Sequence, residues 1–202
     1  MQEAKRGENA EALIAAFDKA KAAQPTAATA ELAKIEADGG PAYRAAALFQ
    51  QANMKAERGD LKGAAALMAK AAADTKLDPS LRDLALLRQT AFEYDTLKPE
   101  VVIARMKPMV DAKDPASNWF PSAAELSAIA HYQLGQYKQA GDLYARIVKV
   151  PTIPKSLQSR AVQMAGMLGV DAVEDRADES AAKDQKGAAA PKVAAGPVEE
   201  KK

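Results

Sequence analysis

Apolar residues between Gln2 and Leu168 recur mostly at intervals of three and four positions. That spacing places them on one side of an α-helix, and no segment keeps the alternation of apolar and polar residues that is typical of a β-strand. Clusters rich in Gly, Pro and Asp interrupt the pattern along the chain, and such clusters end one helix and begin the next. The pattern therefore predicts an all-α protein.

The interruptions divide the chain into consecutive helical hairpins. A strong helix start is "DPSLRDL", where Asp78 can accept hydrogen bonds from free backbone N–H groups and Pro79 suits the first helical position. Connections this short make consecutive helices antiparallel, so we expect about four pairs and one closing helix. The predicted spans are 2–23 with 26–38, 41–58 with 61–75, 79–95 with 98–112, 121–134 with 137–149, and 154–168 alone.

A sequence repeat runs through these hairpins. Each of its two copies begins with a glycine, which is expected to take a positive φ at the end of the first helix of a hairpin. The bulky residue two positions later is expected to fill the gap between the two helices of that hairpin. The alanine should face the partner helix, with the next large residue one turn further on the same face. The two copies lie 76 positions apart: Gly59, Leu61, Ala64, Met68 and Ala71, then Gly135, Tyr137, Ala140, Tyr144 and Ile147.

The repeat length indicates the architecture. The offset of 76 corresponds to two units of 38 residues, and stacked helical units of about 34 residues are typical of tetratricopeptide arrays. A single pair cannot bury its own apolar face, so pairs stack on one another. We therefore expect a right-handed α-solenoid of tetratricopeptide-like helical hairpins.

Composition narrows the possible functions. The near balance of 28 Lys and Arg against 27 Asp and Glu argues against a nucleic-acid surface. The absence of cysteine excludes disulfides, thiolate zinc sites and cysteine nucleophiles. His131 is the only histidine, and there is no glycine-rich phosphate loop or nucleophile elbow. We therefore expect no enzymatic activity, no cofactor and no metal.

The two ends of the chain differ in composition. Residues 1–169 carry the helical repeats, whereas residues 170–202 contain no aromatic residue, leucine or isoleucine. A charged segment rich in Ala and Pro cannot bury enough apolar surface to fold, so we expect a disordered spacer. Trp119, the only tryptophan, is predicted to pack at the start of the next helix, with an exposed protein-binding anchor as the alternative.

The stretch "AERGDLKGAAALMAKAAADTKLDPSLRDLALLRQTAFEYD", residues 56–95, carries a family resemblance. It resembles the periplasmic tetratricopeptide-like domain of ancillary Sec translocon subunits, in the form found in alphaproteobacteria. The most specific part is "LDPSLRDLALLR", which includes Asp78, Pro79 and Arg88. Asn118 with Trp119, and the motif that begins at Gly135, extend the resemblance over about residues 5–168.

The resemblance implies a non-enzymatic adaptor that links exported proteins to chaperones at the Sec translocon. Family members carry a transmembrane helix before this domain, and that helix is missing from this chain. The expected location is therefore the periplasmic side of the inner membrane, with contact to the membrane only through the absent N-terminal anchor. Expected partners are the translocon, exported proteins or periplasmic chaperones, and no nucleic acid. The alternative is a structural or self-associating module in envelope assembly or cell division.

In such arrays the first helix of each pair lines a concave groove, and the repeat register selects its residues. Only Asn53 and Arg88 suit a clamp for a terminal carboxylate, so an extended or helical partner segment is favoured over that clamp. The alternative is that this surface is only the solvated side of the stack. The predicted groove residues are Phe49, Gln50, Asn53, Glu57, Arg88, Tyr94, Glu125, Ile129, Tyr132 and Gln133.

Overall fold

The structure is a computed structural model that describes residues 2–22, 24–112 and 119–171, with side chains from residue 7 onward. Every regular element in these ranges is helical, and no strand occurs among them. The prediction of an all-α protein is confirmed. Beyond Asp171, the tail predicted for residues 170–202 lies outside the described residues, as does Asn118.

The helices are α1 (Gln2–Lys21), α2 (Pro25–Asp38), α3 (Pro41–Ala56), α4 (Leu61–Ala72), α5 (Pro79–Glu93), α6 (Pro99–Val110), α7 (Phe120–Gln133), α8 (Tyr137–Val148) and α9 (Lys155–Met167), with a 3₁₀ turn at Tyr94–Thr96.

The helix starts follow local chemistry. Proline stands in the first positions of α2, α3, α5, α6 and α7, where a backbone N–H would have no partner within the helix. The Asp78 carboxylate accepts a hydrogen bond from the Ser80 N–H at 2.8 Å, and Asp60 caps α4 by accepting from the Gly63 N–H at 2.8 Å. The predicted start of α5 at Asp78 and Pro79 is therefore confirmed.

Three helices end at glycines with positive φ. Gly59 follows α3, Gly135 follows α7 and Gly169 follows α9, with φ of 80°, 71° and 77°. In each case the residue after the glycine donates its N–H to the carbonyl five positions earlier, at 2.9 Å. This is the Schellman arrangement, which glycine adopts without the steric cost that a Cβ brings.

The repeated positions are buried as predicted, with one exception. Ala64 and Ala140 are fully buried against their neighbours, and the large residues four positions later, Met68 and Tyr144, are buried as well. The bulky residues that begin the second helices do not fill the gap between the pair. Leu61 is 44 % exposed and Tyr137 is 54 % exposed, so neither side chain is enclosed between its two helices.

Consecutive helices pack on one another along the chain, but not equally. Helices α5 and α6 approach each other least closely of the consecutive pairs, although they were predicted as a hairpin. Large side chains of both helices, including Leu87, Val102 and Met106, lie in the same core cluster. Helices α3, α4 and α5 meet mainly through alanine, so their backbones come closer.

The core is divided along the chain. One large cluster extends from α5 to α9 and surrounds Phe120. Three smaller clusters, built largely from alanine, lie among α1 to α5. Helix α5 belongs to both regions, since Ala85 packs toward α3 and α4 while Leu87 packs toward α6 and α7. The molecule is therefore held together by a series of local cores.

Candidate functional site

The predicted groove residues lie on alternating helices. They come from α3, from α5 with the 3₁₀ turn that follows it, and from α7. None of the ten is buried: Glu57, Tyr132 and Gln133 are exposed and the others are half-buried. Alternating helices also contact one another directly, α3 with α5 and α5 with α7. Hydrogen bonds of Arg88 with Asn53 and of Tyr94 with Gln133 bring members of the set together across these helices, and we call the surface of the ten residues the groove face.

Arg88 joins α3 to α5 on this face. Its guanidinium carbon lies 5.6 Å from the centroid of the Phe49 ring and 5.5 Å from that of Phe92, and a guanidinium nitrogen donates to the side-chain oxygen of Asn53. Partial burial lowers the pKa of Arg88 from its ordinary value, but an arginine stays protonated at neutral pH. The cation is therefore held between two aromatic rings and an amide.

Tyr94 joins the end of α5 to α7. Its hydroxyl donates to the side-chain oxygen of Gln133 at 3.3 Å. Burial raises the pKa of Tyr94, and the nearby Asp95 raises it further, so the phenol stays protonated and keeps donating at neutral pH. Two predicted residues that lie 39 positions apart are thus paired across the groove face.

Glu125 joins α7 to α9. Its carboxylate accepts from the Arg160 guanidinium in an ion pair, and that contact raises the pKa of Arg160. Tyr144 lies close to both groups and is almost completely buried. Burial, with a smaller contribution from Glu125, raises the pKa of Tyr144 to about 12. The sequence prediction did not include Arg160, because α9 was treated as a closing helix outside the repeat register.

An exposed aromatic pair lies at one end of the face. The rings of Tyr132 and Tyr137 meet edge to face, with centroids 5.3 Å apart. Both tyrosines are large exposed side chains, and aromatic residues of this kind are enriched at protein interfaces. Ile129, one turn earlier on α7, is half-buried.

The chemistry of the groove face is that of a contact surface. Arg88 and Asn53 are joined by a hydrogen bond from a guanidinium N–H to the amide oxygen, so each has one group engaged within the protein. The face combines aromatic rings, amides and charges of both signs. In the described part of the chain, no group of three or more His, Cys, Asp or Glu side chains could hold a metal ion.

Two aromatic residues outside the predicted groove set contact its helices. Trp119 is half-buried before α7, and its indole N–H donates to the Ser80 carbonyl at 2.8 Å and to the Ser80 hydroxyl at 2.9 Å. It therefore ties the start of α7 to the start of α5, which fits the packing role better than the exposed anchor. Phe92, which the register did not select, flanks Arg88.

No family model, curated protein sequence or solved structure matches this chain. Among the described residues, none of the helices combines the length and the hydropathy that crossing a bilayer requires.

Proposed function

We propose that this chain is a non-enzymatic protein-interaction scaffold, in which tetratricopeptide-like hairpins stack into a right-handed α-solenoid. On this proposal it serves as a membrane-anchored periplasmic adaptor of the Sec translocon and brings exported proteins to chaperones. The placement at the translocon rests on the sequence resemblance in residues 56–95. The scaffold role rests on the groove face.

The observation that carries the scaffold role is the pairing of side chains across alternating helices. Arg88 links α5 to α3, Tyr94 links the end of α5 to α7, and Glu125 links α7 to α9. These contacts align first helices in one layer while leaving their side chains half-exposed. A polar and aromatic surface of this kind suits an extended or helical segment of a partner protein.

Site-specific photocrosslinking in the cells that produce the protein tests this proposal. A photoreactive residue is placed at Gln50, Glu57 or Tyr132 on the groove face. Matched controls carry it at exposed positions of the second helices, Ala66 and Ala104. We expect exported proteins, chaperones or Sec components to be captured from the groove positions and not from the controls. Capture of none of these classes, or equal capture from both sets, would contradict the proposal.

Sedimentation velocity separates this function from self-association. If the protein forms a dimer that Tyr132→Arg disrupts, the groove face is an interface between two copies, and the structural module becomes the better description. A monomer over the working concentration range supports a surface that is open to other proteins. Tyr132 suits this test because its ring is exposed, so the substitution leaves the core unchanged.

A further inference from the structure

Arg88, on the groove face, is a half-buried cation without a carboxylate partner in the described structure. Arg44, Arg105 and Arg160 each form an ion pair with a carboxylate. Arg88 forms no ion pair with any described residue, and its hydrogen bond goes to the neutral side chain of Asn53. The positive charge of Arg88 is therefore not neutralised by the described part of the chain.

A similar contact two hairpins further along the chain does contain a carboxylate. Asn53 and Arg88 join α3 to α5, whereas Glu125 and Arg160 join α7 to α9, and each pair spans 35 positions. Glu125 and Arg160 form an ion pair. Asn53 supplies the same kind of acceptor oxygen without a charge. The contact between α3 and α5 thus has the arginine of a salt bridge and lacks the acid.

The donor groups of Arg88 and Asn53 remain open to a partner. A guanidinium can only donate, so the oxygen of the Asn53 amide faces Arg88 and its NH₂ group is left over. That amide nitrogen and the remaining guanidinium nitrogens make no hydrogen bond with the described residues, and none of them is fully enclosed. The Phe49 and Phe92 rings beside the guanidinium are half-buried, so apolar side chains can contact them.

The other charged groups on this part of the surface balance one another. The exposed charged residues at the ends of α3 and α5 that form no ion pair in the described structure are two acids and two bases: Glu57, Arg58, Asp95 and Lys98. Lys55 is paired with Asp60, and Arg105 with Glu93. Solvent and salt screen exposed charges more strongly than a half-buried one. The uncompensated charge at this place is therefore that of Arg88, and it favours an acidic group in the partner.

We propose that Arg88 and Asn53 bind the carboxylate of an acidic side chain in the partner segment that occupies the groove face. The guanidinium and the amide NH₂ group donate to its oxygens, and such charge-assisted hydrogen bonds are strong. Apolar residues next to the acid contact the Phe49 and Phe92 rings. The partner thus supplies the carboxylate that Glu125 supplies beside Arg160. The inference rests on the proposed scaffold role, which it deepens by naming the segment that the groove face selects.

A nuclear magnetic resonance titration of the full chain tests the site with two matched pentapeptides. Both are N-acetylated and C-amidated, one with the sequence Ala-Leu-Glu-Leu-Ala and the other with glutamine in place of the glutamate. At constant ionic strength, the glutamate peptide is expected to shift the Arg88 Nε–H signal and the amide signals of α3 and α5 in a saturable manner. The glutamine peptide should bind at least about tenfold more weakly, because it offers only neutral acceptors to the cation.

A third peptide identifies the source of the carboxylate. It has the glutamine sequence with a free C-terminus, so its only acidic group is the end of the chain. We expect it to bind more weakly than the glutamate peptide. Tighter binding of this third peptide would contradict the assignment to a side chain and would assign the site to a chain terminus.

Variants connect the binding to the named groups. Arg88→Gln removes the cation, and Asn53→Asp supplies an internal carboxylate, as Glu125 does for Arg160. Each should weaken binding of the glutamate peptide by at least about tenfold. Arg58→Gln is the matched control, because it removes the same charge from an exposed arginine close to the end of α3. It should leave the affinity nearly unchanged.

Several results would overturn the proposal. These are equal affinity for the glutamate and glutamine peptides, no saturable shift in the millimolar range, unchanged affinity in Asn53→Asp, or an equal loss in Arg58→Gln. Asn53→Asp keeps the size of the side chain and gains a pair with Arg88, so it should fold even if Arg88→Gln does not, and urea denaturation checks this.

The crosslinking experiment reports separately on the scaffold role. Capture of proteins from the groove positions, together with equal affinity for the glutamate and glutamine peptides, would contradict only the carboxylate site. Selective binding of the glutamate peptide without any capture in cells would contradict only the scaffold role.

Discussion

Individual polar residues in this protein differ most in how completely their hydrogen bonds are satisfied. Arg88 is half-buried yet has two aromatic rings and an amide oxygen around its cation. Ser127 is more deeply buried, and its hydroxyl has no hydrogen-bond partner among the described residues. Hydrogen-bonded groups hold neighbouring helices together, whereas a buried hydroxyl without a partner costs about 1–3 kcal/mol. At the scale of the residue, the hydrogen-bonded groups therefore explain how neighbouring helices are held together.

Tyr144 makes the stability of the fold depend on alkaline pH. Its pKa is raised to about 12 by burial and, to a smaller extent, by Glu125, while an unfolded chain titrates a tyrosine near about 10. The folded state thus holds the proton more tightly, and this contribution is complete below pH 10 and is lost as the pH rises toward 12. We expect the free energy of unfolding to fall by about 2–3 kcal/mol across that window.

The measurement is urea denaturation at a series of pH values for the wild type and Tyr144→Phe. The phenylalanine variant keeps the ring but has no ionisable group. The additional loss of unfolding free energy at alkaline pH should therefore disappear. Tyr137→Phe removes a hydroxyl from an exposed ring and serves as the control. Parallel pH profiles for the wild type and Tyr144→Phe would contradict the assignment.

At the scale of the element, helix ends are set by local chemistry and helix spacing by side-chain size. Glycines with positive φ end α3, α7 and α9, and aspartates cap α4 and α5. These signals act within a few residues, which is why they can be recognised in the sequence. How closely α5 and α6 approach each other depends instead on tertiary packing, in which both helices share one core cluster with α7, α8 and α9.

Replacing a glycine by alanine should change the free energy of unfolding in opposite directions at a helix end and within a helix. Gly135→Ala places a Cβ at φ 71° and should lower the free energy of unfolding by about 1–2 kcal/mol. Gly166→Ala lies within α9, where an added Cβ meets no atom within 4 Å, and should raise it by up to about 1 kcal/mol. Equilibrium denaturation in urea compares the two, and effects of the same sign would refute the role given to Gly135.

At the scale of the whole molecule, the described chain consists of neighbouring helices that share several local cores. The cluster from α5 to α9 contains Phe120, Met106 and Ile147, which are all fully buried large residues. The cluster at the N-terminal end is smaller, with the buried large residues Leu32, Ile35 and Met54 beside three alanines. Less apolar surface is therefore buried per residue near α1 and α2, and stability is expected to vary along the chain.

Hydrogen exchange followed by mass spectrometry tests this variation. Backbone amides of α1 and α2 should exchange faster than those of α7 and α8, because opening the N-terminal helices exposes fewer large apolar side chains. Leu32→Ala should accelerate exchange in α1 to α3 and leave α7 to α9 nearly unchanged. Uniform protection, or an equal response of both ends, would show that the chain unfolds as a single cooperative unit.

Only part of the groove face could be predicted from the sequence. Register selected both Asn53 and Arg88 for this face, but not the hydrogen bond between them, which joins residues 35 positions apart in a repeat of 38. Register could not select Phe92 or Arg160, because their contacts depend on how far each side chain reaches across to the next helix. It also placed Tyr137 in the gap between two helices, whereas the ring lies exposed beside Tyr132.

The sequence by itself determined the helical class, the start of α5 at Asp78 and Pro79, the glycine at the end of α7 and the burial of alanines such as Ala140. These features depend on backbone preferences and on periodicity, which act over a few residues. The tertiary structure alone decided the wide spacing of α5 and α6, the pairing of Tyr94 with Gln133 and the unpartnered state of the Ser127 hydroxyl. Each of these depends on side chains from distant segments that meet in space, and the volumes and directions of such side chains are settled only when the helices pack.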